Sequence, residues 1–300
     1  NAAIESYQDN LTYRKLLEAL MIVSACEAAN ILAIDVGGST ENFARMMNET
    51  AIKAGAVNSN FTNAHGLYEK DNYTTPFDLY MITRYAYDNY PAFMEIAGAD
   101  YFEMPANEYN PDGYAYYHTN SMMHSDSKYY YEGVKGIKTG SIDVYYEIKD
   151  GEATGKTTPG TRSLVTTAER GGDSYLLVTL AAPYYNDEGE SSDYHYQDHI
   201  RLYNWAFSSL EYARVIEKGE GIADVPVNKG EDASVVTAVA AENFDYLLPK
   251  SLNATAIQQV KNLETSMDAP ITKGQKLGTL TLNLGGEKLA DIELIAKDGV

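Results

Sequence analysis

The spacing of apolar residues changes period twice along this chain, and those changes restrict its possible architectures more than any other feature. From Thr12 to about Ala86 apolar positions recur at three- and four-residue steps, as on helices buried along one face. From Gly136 they fall into strand-like runs, and after Lys218-Gly219 shorter runs alternate with Gly-, Pro- and Asn-containing turns up to Val300. Helices, then strands, then a second strand-rich part predict an α/β domain followed by a small all-β domain, with the boundary near residue 218. The length of 300 residues suits one large and one small domain.

In the helical part, residues 12–35 read as helix, with Thr12 as N-cap and Leu16, Leu17, Leu20, Met21 and Val23 on its apolar face. A second helix is expected over Ser39–Gly55, burying Phe43, Met46, Met47 and Ile52. After a turn-rich stretch, Val57–Tyr73, a third starts at Thr75 with Pro76 in its first turn and Leu79, Ile82 and Ala86 inward. Residues 100–131 read as tyrosine-dense loop. Strands are expected at Gly136–Ile142, Ser163–Glu169 and Ser174–Ala182, with Gly171-Gly172 turning between the last two. A long amphipathic helix is expected over 193–217, carrying Ile200, Leu202, Trp205, Ala206, Leu210 and Val215. Beyond it, Val225–Val227, Ser234–Val239, Tyr246–Pro249, Leu277–Asn283 and Ile292–Ala296 are the strand candidates.

A formal net charge of −20 repels phosphate backbones and weighs against nucleic acid as a partner. It offers no polybasic patch for an anionic membrane either. The single cysteine, Cys26, has no internal disulfide partner, and no zinc-ligand spacing accompanies it. No apolar run reaches the length of a membrane span, and no leader is visible. The chain begins with Asn1 rather than Met, which reads as a processed or truncated product.

Two short motifs carry chemistry. Lys138-Thr139-Gly140 lies on the first expected strand. Such a triplet on a strand resembles one of the marks of penicillin-binding proteins, and that resemblance implies that the lysine sets a positive potential for a nucleophile and a carboxylate, that the threonine hydroxyl hydrogen-bonds that carboxylate, and that glycine lets an extended peptide come close. The next amide, of Ser141, is then placed to donate to an oxyanion. Alone, the triplet reads better as a strand entering a turn than as a site. Its setting is more telling: Gly133-Val-Lys-Gly-Ile-Lys-Thr-Gly140 resembles the "GvdGlKTG" strand of the low-molecular-mass D-alanyl-D-alanine carboxypeptidases. Pro159-Gly-Thr-Arg-Ser-Leu-Val-Thr-Thr-Ala-Glu-Arg170 resembles their next strand, "AGrcLvasAkR", with Pro159 in place of alanine.

Leu17-Glu-Ala-Leu-Met-Ile-Val-Ser-Ala-Cys-Glu-Ala-Ala29 is similar to the family's "LLyalLlpSaNDAa". That alignment puts Ser24 at the serine of the Ser-x-Asn mark, on a loop between helices, and Cys26 where asparagine is usual. The resemblance implies that Ser24 shuttles protons between nucleophile, lysine and leaving amine. Asparagine would bond the substrate's amide, a task cysteine performs poorly. Cys26 therefore reads either as a substrate-side residue or as a small buried apolar one. A Ser-x-Cys variant occurs in some relatives, including transpeptidases.

Further stretches follow in family order. Phe61-Thr-Asn-Ala-His-Gly-Leu67 resembles "nFvnphGL", Tyr73-Thr-Thr-Pro-Phe-Asp-Leu79 resembles "hySTarDLa", and Thr119-Asn-Ser-Met-Met123 resembles "tNkLL". Read by themselves, His65 is a turn or core histidine and Asp78 a charge favoured by a helix start. Asp268-Ala-Pro-Ile-Thr-Lys-Gly-Gln-Lys-Leu-Gly278 resembles the "ApikkGqkvG" turn of the family's small β domain. The one Ser-x-x-Lys match, Ser125-Asp-Ser-Lys128, breaks the motif order and reads as a solvated polar turn. The many tyrosines between Tyr101 and Tyr146 suit strand and edge packing better than stacking on sugar rings.

What the resemblance implies is then specific. The fold is the α/β penicillin-recognising type, a helical cluster beside an antiparallel sheet (1–217), followed by a β-rich domain (218–300). The reaction is acyl transfer: a serine attacks the carbonyl between two terminal D-alanines of a peptidoglycan stem peptide, and water hydrolyses the acyl-enzyme, without metal or organic cofactor. Ser24 and Lys138 are the expected catalytic residues, and Cys26, Thr139, Gly140 and Ser141 the expected substrate-side residues. The nucleophile of the family's Ser-x-x-Lys mark is expected upstream of residue 1, which would leave the chain as given inactive. β-Lactams are expected ligands, the location extracytoplasmic, and any peripheral membrane association through a segment outside this chain. DD-transpeptidation at the same site and non-catalytic binding of cell-wall peptide are the rival readings.

Overall fold

The computed structural model describes residues 11–106, 108, 111–142, 145–149, 152–230 and 233–300, with the backbone alone for 145–149 and 152–158. Asn1 and Tyr109 lie outside the described residues, as do the side chains of Tyr145 and Tyr146. The chain divides into two compact units that part between Asn204 and Trp205.

The first unit opens with helix α1, Tyr13–Val23, capped by Thr12, whose hydroxyl accepts from the Lys15 amide at 3.2 Å. Leu16, Ala19 and Ile22 are its buried positions. The helix expected to run over 12–35 is in fact two. Ser24 takes a left-handed φ of 60°, the Ala25 amide turns back to the Ala19 carbonyl at 3.1 Å, and α2 starts afresh over Cys26–Gly37. The apolar period runs through this break, so the pattern hides it. Thr119 holds it from outside, donating its amide to the Ile22 carbonyl at 3.0 Å.

Helix α3, Thr40–Lys53, is capped by Ser39. Its buried residues are Ala44 and Ala51, while Ile52, expected inside, is 65% exposed. Helix α4, Pro76–Asn89, is capped by Thr75. Asp78 in its first turn is fully buried: it accepts from the Asn58 amide at 2.6 Å and the Ser59 hydroxyl at 2.7 Å. The charge expected at a helix start thus also ties down the preceding loop. Asp78→Ala is expected to cost about 2 kcal/mol, because it strands those donors; urea unfolding measures it. A short α5, Pro91–Ala97, follows.

The stretch read as loop contains an antiparallel ribbon, β1 (Tyr101–Met104) with β2 (Tyr114–Tyr117). Its period of two is only four residues long, too short to stand out among tyrosines, yet it sends Phe102 and Met104 into a core with Leu16, Ala19, Ile22 and Leu32. Strand β3 is Val134–Ile142, and β4 (Tyr145–Lys149) and β5 (Glu152–Thr158) form a separate antiparallel pair absent from the sequence reading. Strands β6 (Thr161–Arg170) and β7 (Asp173–Pro183) complete an antiparallel sheet in the order β3-β6-β7. Gly171 and Gly172 both take positive φ, 63° and 94°, at the expected tight turn. Ala97, Ile137 and Val165 form a second small core joining α5 to the sheet. Helix α6, Tyr194–Ser209, is shorter than expected and contains the division between the units.

In the second unit, residues 210–216, expected as the end of that helix, form β8 (Leu210–Ile216). Seven residues are too few to separate the two periods, and pairing with Phe244–Pro249 decides between them. Strands β9 (Gly221–Asn228), β10 (Val235–Ala240), β11 (Phe244–Pro249), β12 (Gln258–Leu263), β13 (Met267–Asp268), β14 (Lys276–Leu284) and β15 (Glu287–Ala296) follow. Six of them make one sheet in the order β12-β14-β15-β10-β9-β13, and β8 pairs with β11 alone. Val225, Val236, Leu248, Leu280, Leu282 and Leu294 lie in their common core.

Candidate active site

The break after α1 and the strand β3 form the site. Ser24 ends α1 in a left-handed turn, and Lys138 on β3 donates its ammonium to Ser24 Oγ. The same ammonium donates to the Thr139 carbonyl at 2.7 Å. Two residues 114 positions apart in sequence thus meet, as the motif order implied. Loss of hydration pulls the Lys138 ammonium down to about 8, an effect partly offset by an electrostatic interaction with Cys26. Cys26 is half-buried at the first turn of α2.

Strand β3 pairs with β6 through Lys138–Val165, Thr139–Leu164, Gly140–Ser163 and Ser141–Arg162. Its other edge has no strand partner among the described residues, so backbone groups there are open to an extended ligand. Gly140 and Ser141 are exposed. A Cβ at Gly140 would meet only Ser163 Cβ, at 3.4 Å, so the fold itself does not demand glycine there. Gly136 differs: a Cβ there would lie 2.4 Å from the Ala97 carbonyl oxygen.

The segment His118–Asn120 braces both sides and was not legible as such. Asn120, fully buried, donates its amide nitrogen to the Gly136 carbonyl at 2.6 Å, two residues before Lys138. His118 Nδ1 accepts from the Asn120 amide at 3.0 Å, which leaves Nε2 to donate to the Ala97 carbonyl at 3.2 Å. Burial and then the nearby Lys138 charge hold His118 down to about 4, so it is neutral. Between them the Thr119 hydroxyl lies 2.6 Å from that of Thr139. Thr119-Asn120 stood in the sequence only as a scaffold signature. Apart from the local bond between His118 and Asn120, these contacts span 16 to 21 residues, and no local pattern reports them.

The remaining candidates fall elsewhere. His65 is a half-buried turn residue whose Nδ1 accepts from the Leu67 amide. Ser125–Lys128 lies in turns, and Lys128 sits 3.5 Å from Asp193 and over the Tyr129 ring. Several tyrosines pack on one another, Tyr129 on Tyr196 and Tyr131 on Tyr203. Among the described residues no group of three or more His, Cys, Asp or Glu could hold a metal, and no helix is long and apolar enough to cross a membrane.

A strand lysine facing a helix-loop serine beside an antiparallel sheet defines the penicillin-recognising class of α/β fold, and solved structures agree. Penicillin-binding protein 5 of Haemophilus influenzae superposes with a TM-score of 0.67 at 20% identity, over 100% of this chain and 77% of that one. A peptidoglycan synthesis regulatory factor, PBP3, of Streptococcus pneumoniae gives 0.66 at 20% identity, over 100% and 81%. The sequence model of the D-alanyl-D-alanine carboxypeptidase family matches residues 3–184, and that of the penicillin-binding protein 5 C-terminal domain matches residues 210–300. The chain belongs to the D-alanyl-D-alanine carboxypeptidase family of peptidases. It is 25% identical to D-alanyl-D-alanine carboxypeptidase DacF of Bacillus subtilis, over 97% of this chain and 67% of that protein. It is likewise 25% identical to DacA of Haemophilus influenzae, over 93% and 63%. The chain thus spans about two thirds of the length of these curated relatives.

Proposed function

We propose that the protein is a serine-type D-alanyl-D-alanine carboxypeptidase that trims peptidoglycan stem peptides outside the cytoplasmic membrane and is acylated by β-lactams. The observation that carries this reading is the contact of Lys138 with Ser24 across the open edge of β3. Lys138 supplies positive charge for the terminal carboxylate, with the Thr139 hydroxyl as a hydrogen-bond donor to it. An ammonium titrating near 8 exchanges protons readily at neutral pH, which suits Ser24 and Lys138 to relay the proton from nucleophile to leaving amine. Gly140 lets the peptide lie against β3, and the Ser141 amide faces the developing oxyanion. In this reading Ser24 relays the proton and is not itself acylated.

The test is release of D-alanine from a peptide ending in D-Ala-D-Ala by the full-length protein, with penicillin labelling mapped by mass spectrometry. No release and no label would refute the reading, and a label on the Ser24 peptide would refute the relay role. Cys26 in the place of asparagine favours transpeptidation as the second reading, and an added amine acceptor that captures the acyl group would support it. A pH series adds an independent check. Lys138 loses its charge as pH rises through about 8. KM for a carboxylate-ended peptide is therefore expected to climb between pH 7 and 9, with little change for a C-terminal amide analogue.

A further inference from the structure

Thr119 is an exposed residue between two fully buried polar neighbours, His118 at 2% exposure and Asn120 at 0%. Its place is therefore fixed although the residue is exposed. The Thr119 hydroxyl has two partners: the Ile22 carbonyl at 3.3 Å, to which it can donate, and the Thr139 hydroxyl at 2.6 Å. The Ile22 carbonyl also receives the Thr119 amide at 3.0 Å.

Two hydroxyls carry two protons, and their arrangement decides what Thr139 offers a ligand. If Thr119 donates to Ile22, the Thr139 proton fills the gap between the hydroxyls, and Thr139 presents only lone pairs. If Thr119 turns its proton to Thr139, the Thr139 proton is released toward the cleft. The turn costs little, because the Ile22 carbonyl keeps the Thr119 amide. A carboxylate oxygen only accepts, so it selects the second arrangement. An amide tail carries its own N–H and pairs with the first.

We propose that Thr119 is a positioning residue that aims the Thr139 hydroxyl at the substrate's terminal carboxylate, and so contributes to the preference for a free C-terminus. This rests on the carboxypeptidase reading above. The variant Thr119→Val keeps the shape and backbone bonds and removes the hydroxyl. In the full-length protein it is expected to raise KM for a D-Ala-D-Ala peptide about tenfold, in line with loss of one charge-linked hydrogen bond. kcat should change less than threefold, and the C-terminal amide analogue should be handled as by wild type. Thr119→Ser should restore KM.

Equal loss on both substrates, an unchanged KM, or failure of Thr119→Ser to restore it would each overturn the proposal. Thermal unfolding of Thr119→Val, expected at the wild-type midpoint, guards against a misfolded variant, and in that event the serine variant alone decides through its KM. If wild type neither turns over nor binds the peptide by calorimetry, the carboxypeptidase reading fails and takes this inference with it. If wild type does so and Thr119→Val matches it, this inference fails alone.

Discussion

Replacing Lys138 with alanine is expected to slow acylation of the full-length protein by penicillin by about 10²–10⁴-fold, the range for loss of a positioned proton-transfer or electrostatic group. The ammonium makes two contacts at once, to Ser24 Oγ and to the Thr139 carbonyl, and it is the charge nearest the open edge of β3 in this network. In the proposed reading its removal takes away the cation for the terminal carboxylate and the partner of the relay serine together. The fold should not suffer. Burial already disfavours the charged form, so alanine relieves a desolvation cost rather than breaking a stabilising pair. Lys138→Arg makes a useful companion: it keeps a positive charge but cannot give up its proton. It is expected to hold KM near the wild-type value with a low kcat. Stopped-flow acylation and steady-state kinetics measure both, and wild-type acylation in Lys138→Ala would contradict the assignment.

The second large effect is acid unfolding of the first unit before any carboxylate titrates. His118 and His195 are held to about 4 and His199 to about 3, burial being the largest cause for each. Lys138 adds to the shift at His118, Arg162 at His195, and His195 at His199. His199 Nδ1 is bonded to the Thr166 hydroxyl at 2.8 Å, and its Nε2 has no hydrogen-bond partner among the described residues. Above pH 6.5 the three rings are neutral in folded and unfolded chains alike, and stability is unaffected. Below it the unfolded chain takes up protons first, so stability falls as pH falls, until the folded rings titrate near 4 to 3. Each ring is expected to cost on the order of 2 kcal/mol by pH 5. Urea midpoints followed by circular dichroism between pH 7 and 5 measure the loss. His199→Gln should shrink the slope, and a midpoint constant over that range would contradict the account.

Local signals in the sequence were read correctly where one residue's chemistry decides a local outcome. Thr12, Ser39 and Thr75 cap their helices because a short side-chain oxygen can reach a free amide three residues on. Gly171-Gly172 turns because only glycine tolerates two successive positive φ angles cheaply. Failures occurred where two local states were close in energy. Ser24 adopts a left-handed φ that glycine usually supplies, inside an uninterrupted apolar period. Residues 210–216 fit helix or strand until Phe244–Pro249 pairs with them. The ribbon of β1 and β2 is too short to show its alternation among exposed tyrosines.

The motifs Ser24-x-Cys26 and Lys138-Thr139-Gly140 and their order were written in the chain itself, because side-chain chemistry and chain order do not depend on folding. Tertiary structure alone decided that Ser24 and Lys138 touch, that desolvation lowers the ammonium to about 8, and that Thr119 stands against Thr139. Those three outcomes depend on distance and on exclusion of water. Both arise only when segments far apart in sequence pack against each other, and no local pattern encodes them.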